Sequence, residues 1–221
     1  MLNITLAVII SRAITIIFAF PLHEFAHAWM ANRLGDPTAR GLGRLTLAPR
    51  AHLDVMGTIL VLAFGFGWAK PVPVNPRYLR YGPVGGMALV AIVGPLSNLA
   101  LAAVGAIPFR LGIVDLLGHL PLGLPVLGFL VNRTLLPTVG DIFFTFVFLN
   151  IILFVFNLLP IAPLDGFRVA LAVLPREAAA MLAKTERYGP LILIAVVFLL
   201  GGIFWAIIGP VVNLVARILI G

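Results

Sequence analysis

Apolar residues run in long blocks along this chain, and short segments holding Gly, Pro and most of the charged side chains separate them. Such blocks predict membrane-spanning helices. A helix rises about 1.5 Å per residue, and the hydrocarbon core of a bilayer is about 30 Å thick. The first block covers residues 2 to about 34 and is interrupted by Arg12, Pro21, His23 and His27. It exceeds one bilayer thickness, so it forms either one long tilted helix or a helix bent near Pro21. Gly35-Asp36-Pro37 ends it, with a glycine placed as a C-cap and a proline just beyond. Further spans are predicted over about 85–109, 142–159 and 190–208, with a short tail helix after the last.

The intervening segments are too short for a second domain. The chain therefore reads as a single intramembrane domain over 1–221. Residues 36–55 are the most polar stretch, and 41–47 alternate weakly, which predicts short strands at the membrane surface. Residues 56–68 are apolar but too few to span, which fits a re-entrant or interfacial segment. Lys70 to Arg77 is proline-rich and predicted extended. Residues 111–138 are rich in Gly and Pro and read as an interfacial hairpin. Residues 167–188 are amphipathic. The expected fold class is an all-α polytopic membrane protein. It has about four spanning helices, a re-entrant or interfacial segment and short membrane-associated strands.

Composition sharpens this picture. The chain has 221 residues, 62% hydrophobic and 10% charged, with mean hydropathy +1.14. Soluble domains carry about 25% charged residues, and disordered chains are far less apolar. Both classes are excluded. Cysteine is absent, so neither disulfides nor thiolate ligands enter. The net charge of +7 does not point to nucleic acid, because the bases sit beside apolar runs, where topology and lipid headgroups account for them. Segments 33–55, 70–80 and 168–187 hold eleven of the fifteen basic residues, whereas 110–138 hold only Arg110 and Arg133. The positive-inside rule makes the eleven-base side cytoplasmic and puts the N-terminus outside, provided 56–68 does not cross. The first base, Arg12, lies within the apolar run, so the first helix reads as an uncleaved insertion signal in a cell membrane.

In so apolar a chain, ionisable residues inside a span need partners. His23-Glu24-Phe25-Ala26-His27 is an H-E-x-x-H sequence. On a helix, residues four apart share a face, so both imidazoles can bind one tetrahedral zinc ion. Glu24 lies beside the first ligand, where its carboxylate can serve as general base toward water. A hydrolytic zinc site usually has three protein ligands. Candidates for the third are Asp165, His52, Asp54, His119 and Asp141. His27 precedes Leu34 by seven residues, about 10 Å inside the cytoplasmic end of its helix. Asp165 follows the third span where it returns to that side, so depth favours it. His52 and Asp54 share the side but sit in a polar loop, and they stay open as alternatives. His119 and Asp141 lie toward the outer side.

With HEFAH at 23–27 and NLLPIAPLDG at 157–166, the chain resembles the site-2 protease family, zinc metalloproteases that cut inside the membrane. FGWAKPVPVNP and GPLSNL follow in the family's order, so the resemblance covers most of the chain. It is closest to the compact bacterial branch without a PDZ or CBS domain. The resemblance implies that His23, His27 and Asp165 bind one zinc ion and that Glu24 is the base. It further implies that Asn157 helps to bind substrate and assists the reaction, that Asn98 contributes to substrate binding, and that His52, with Asp54, shapes substrate access. The implied substrates are transmembrane segments of other proteins. Two other classes stay open on residues alone: a membrane transporter of metal or other ions, and a non-catalytic metal-binding membrane protein.

Overall fold

A computed structural model of the chain describes residues 6–64, 67–114 and 139–221. Ten α-helices follow one another among them. They are α1 Leu6–Arg33, α2 Thr38–Gly41, α3 Pro49–His52, α4 Val55–Phe64, α5 Gly82–Arg110, α6 Val139–Asn157, α7 Asp165–Val173, α8 Arg176–Lys184, α9 Gly189–Ile194 and α10 Gly201–Ile220. Four contain stretches long and apolar enough to cross a membrane: Ile9–Arg33, Gly82–Arg110, Val139–Asn157 and Gly201–Ile220. The protein is thus an all-helical, multi-pass membrane protein. α1 runs through Pro21 as one continuous helix. It ends in the expected glycine cap: Gly35 turns left-handed at φ 105°, and the Asp36 N–H donates to Ala31 O at 2.9 Å.

The fourth span lies later than the sequence pattern predicts. α9 stops at Ile194, a π-type turn covers Ala195–Leu199, and Leu200 leaves helical geometry at φ −108°, ψ 21°. A new helix starts at Gly201, and Pro210, beyond the expected end, sits inside it. Of the predicted hairpin over 111–138, the part from residue 115 onward, with His119, lies outside the described residues.

α5 is the central helix and packs against both α1 and α6. Lipid tails are as apolar as the side chains, so association in a bilayer depends on close packing and polar contacts. Small residues of α5 provide the first: Ala102 and Ala106 are buried against Phe144, Val147, Phe148 and Ile151 of α6 and Phe204, Ile208 and Val212 of α10. Large apolar side chains such as Phe18, Val104 and Ile207 remain outward-facing and exposed, as a lipid-facing surface requires. Arg110, at the end of α5, donates from Nε to Leu219 O at 2.8 Å and also bonds Ile218 O, so α5 and α10 end on the same side.

The segment after α1 holds the re-entrant element. α4 has ten residues, about 15 Å, or half the hydrocarbon thickness. The chain then returns to its start: Leu53 pairs with Ala69 as an antiparallel bridge, and the Lys70 N–H donates to His52 O at 2.7 Å. α4 is braced at both ends. Asp54 Oδ1 accepts the Gly57 N–H at 2.8 Å and caps the N-terminus. Arg12, buried in α1, donates from Nη1 to Leu62 O at 2.9 Å near the C-terminus. Each charge stands at the end of the helix dipole that favours it. This gives the intramembrane Arg12 its partner.

The strands predicted at 41–47 do not form, and the bridge at Leu53 is the only β-pairing among the described residues. Local bonds satisfy the backbone first. Gly43 N–H donates to Arg40 O and Arg44 N–H to Ala39 O, while Asp36 Oδ1 accepts from the Thr38 N–H and hydroxyl. The Arg44 side chain donates to Pro71 O at 3.1 Å and Lys70 O at 2.5 Å, and Asp36 Oδ2 accepts the Asn75 N–H at 2.7 Å. The polar loop therefore clamps the extended 70–75 segment.

Candidate metal centre

His23 and His27 lie four residues apart on α1, and their rings meet edge to face with centroids 4.6 Å apart. α7 begins at Asp165, next to them. The ligand atoms form a small triangle: His23 Nε2 to His27 Nε2 is 3.0 Å, and Asp165 Oδ2 is 3.2 Å from the first and 3.3 Å from the second. These three side chains form the one cluster with metal-ligating geometry among the described residues.

Hydrogen bonds at the far side of each ring decide what the triangle can hold. His27 Nδ1 lies 2.8 Å from Val90 O, and a carbonyl oxygen only accepts, so this nitrogen carries the proton. His23 Nδ1 lies 2.6 Å from Asn98 Oδ1 and donates to it. Both Nε2 atoms are then left with lone pairs, aimed at each other and at a carboxylate oxygen. Asp165 Oδ2 is buried and has no hydrogen-bond donor. Three converging lone pairs repel one another unless a cation lies among them. Ligands on a tetrahedral zinc ion with bonds of about 2.0–2.1 Å lie about 3.3 Å apart, close to the distances found. The residues fit zinc. A dication at the centre of the triangle would accept both Nε2 lone pairs and attract the Asp165 carboxylate.

α5 makes this arrangement possible. Val90, Gly94 and Asn98 repeat at four-residue spacing along its face toward α1. A Cβ on Gly94 would overlap the His27 ring and stand 2.8 Å from His23 Cε1. No side chain larger than hydrogen fits there.

Glu24 is buried, and its Oε2 accepts the Val72 N–H at 3.1 Å. The candidate base thus lies against the extended segment that Arg44 and Asp36 hold. Asn157 ends α6, half-buried, and its Nδ2 donates to Leu153 O of its own helix at 2.9 Å. Asn98 is fully buried, with its amide on the back of His23. His52 is also fully buried. Its Nε2 donates to Thr46 O at 2.7 Å, which folds the 46–52 loop onto α3. The sequence reading did not single out Asn150. Asn98 Nδ2 donates to Asn150 Oδ1 at 3.1 Å, and Asn150 Nδ2 donates to Phe146 O at 2.8 Å. An asparagine inside the apolar run of α6 was the available signal.

The model of peptidase family M50 matches residues 11–200. The chain is 43% identical over 176 residues to the "Putative zinc metalloprotease YwhC" of Bacillus subtilis, covering 80% of this chain and 74% of that one. It is 30% identical over 194 residues to the "Putative zinc metalloprotease Rip2" of Mycobacterium tuberculosis, covering 85% of this chain and 67% of that one. A 103-residue stretch is 35% identical to a glucose-6-phosphate isomerase of Cereibacter sphaeroides but covers only 18% of that protein, too little to carry an isomerase assignment. No solved structure matches. The family model spans the H-E-x-x-H helix, the glycine-bearing face of α5 and the aspartate of α7, the parts that build the metal triangle, and the chain belongs to peptidase family M50, the zinc metalloproteases.

Proposed function

We propose that the protein is an intramembrane protease that hydrolyses peptide bonds within or near transmembrane segments of other membrane proteins. One observation carries this reading: the candidate zinc ligands His23 and His27 and the carboxylate of Glu24 sit inside a membrane-spanning helix, so the peptide bond must come to them there. In this reading His23, His27 and Asp165 hold the metal. Zinc, when bound, supplies Lewis-acid chemistry that acidifies water and polarises the scissile carbonyl. Glu24 takes the proton from the attacking water and delivers it to the leaving amine. Its contact with Val72 keeps the carboxylate oriented until the reaction draws on it. Asn157 offers its amide to the substrate carbonyl as negative charge develops on the oxygen.

A transmembrane substrate arrives as a helix whose amides are bonded internally, so it must unwind before it is cut. The extended segment 70–75, clamped by Arg44 and Asp36, offers a backbone edge on which an unwound stretch can pair. The orientation follows from charge: the eleven-base side faces the cytoplasm, and water reaches the site from there. To test the function, wild type and Glu24→Gln are co-expressed with single-span membrane proteins. A shortened product with wild type alone supports it. Products of equal size and amount from both remove Glu24 as the base.

A further inference from the structure

We infer that Asn150 is a positioning residue for the metal centre, acting through Asn98 to fix the tautomer of His23. Three hydrogen bonds run in one direction. His23 Nδ1–H donates to Asn98 Oδ1 at 2.6 Å, Asn98 Nδ2 to Asn150 Oδ1 at 3.1 Å, and Asn150 Nδ2 to Phe146 O at 2.8 Å. Both asparagines are fully buried, so water cannot substitute for either partner.

The direction of this chain matters because a primary amide can flip. A flipped Asn98 would present its NH2 group to His23 Nδ1, which would then have to accept, and the imidazole proton would move to Nε2. A protonated Nε2 cannot be a metal ligand. Asn98 alone has no preference strong enough to forbid this. Asn150 forbids it by presenting an acceptor to the Asn98 amide nitrogen. The orientation of Asn150 is fixed in turn by the Phe146 carbonyl, which can only accept. A backbone carbonyl on α6 thereby keeps Nε2 of a histidine on α1 unprotonated and able to bind the metal. His27 needs no such relay, because its Nδ1 meets the Val90 carbonyl directly. Outer partners of metal-bound histidines typically govern affinity by about 10–100-fold.

The inference rests on zinc binding by His23, His27 and Asp165, and the test separates the two. Zinc affinity is measured on the full-length protein in detergent, by competition with a chelating indicator. Wild type that binds no zinc defeats the metal reading itself. Given wild-type binding, Asn150→Leu is expected to weaken it about tenfold, toward the low end of the usual range for outer partners. Adding Asn98→Asp is expected to restore affinity to within about twofold, because a carboxylate accepts from His23 whichever oxygen it presents. Unchanged affinity in Asn150→Leu overturns the relay, and so does a loss that Asn98→Asp fails to rescue, since mere packing at position 150 would not respond to residue 98. Nitrogen NMR of the zinc-loaded wild type provides a check that needs no variant. His23 protonated at Nδ1 and ligated through Nε2 is expected, and ligation through Nδ1 overturns the inference.

Discussion

Gly94 shows how much of the site depends on a side chain that is absent. The His23 and His27 rings occupy the space its Cβ would need. Gly94→Ala must displace both imidazoles or push α5 away from α1. Zinc content is expected to fall at least tenfold, with the protein still folded, measured by metal analysis on purified material. Glu24 behaves oppositely. Its carboxylate touches Val72 and none of the three ligand atoms in the described bonds, so Glu24→Gln is expected to keep one zinc per chain. Cleavage in that variant should drop by about 10²–10⁴, the usual contribution of a general base. Side-chain chemistry at this scale was legible where it depended on helical spacing alone. His23 and His27 share a face because they are four apart, and Gly35 caps α1 because it follows the last apolar turn. The Asn98–Asn150 link was not legible, since nothing in local spacing tells which of several buried amides will meet across two helices.

Among the elements, α4 depends on a residue fifty positions away. Arg12 donates to the Leu62 carbonyl, and Asp54 caps the opposite end. Arg12→Met keeps the volume and removes the donor. Leaving that carbonyl unpaired in an apolar setting costs about 1–3 kcal/mol. The expected result is a lower unfolding midpoint in detergent and faster proteolysis between residues 53 and 70, with zinc content close to wild type. The sequence marked α4 as too short to span, and length settled that. It marked Arg12 as needing a partner without revealing one, because the contact joins distant parts of the chain. The weak alternation at 41–47 misled for a related reason: turn bonds within 36–44 satisfy the backbone before any strand partner is reached. The last span was displaced because the π-type turn at Ala195–Leu199 and the break at Leu200 interrupt a run that looks uniformly apolar.

At the scale of the whole molecule, the metal site lies toward one end of the bundle. α1 enters it from the middle of a span, α5 crosses behind it, and α7 starts beside it. In the proposed orientation, read from the basic residues, that end faces the cytoplasm. Reporter fusions at residues 45 and 185 are therefore expected on the cytoplasmic side and a fusion at residue 113 on the opposite side; all three on one side would contradict the topology. The depth argument favoured Asp165 over His52 and Asp54 through the same frame, and the structure brings Asp165 beside His23 and His27, whereas His52 bonds Thr46 and Asp54 bonds Gly57. Large outward-facing apolar side chains suit the bundle to lipid, which is why the proposed substrate is a peptide bond presented at the membrane.

The central claim is that this membrane-embedded site cuts peptide bonds with Glu24 as the base. Mass spectrometry of a single-span substrate, incubated in liposomes with purified zinc-loaded protein, tests it most directly. The account predicts new termini within or beside the apolar segment of the substrate, made by wild type and absent with zinc-loaded Glu24→Gln. The same termini from both proteins, or termini only in soluble regions far from the membrane, would contradict it.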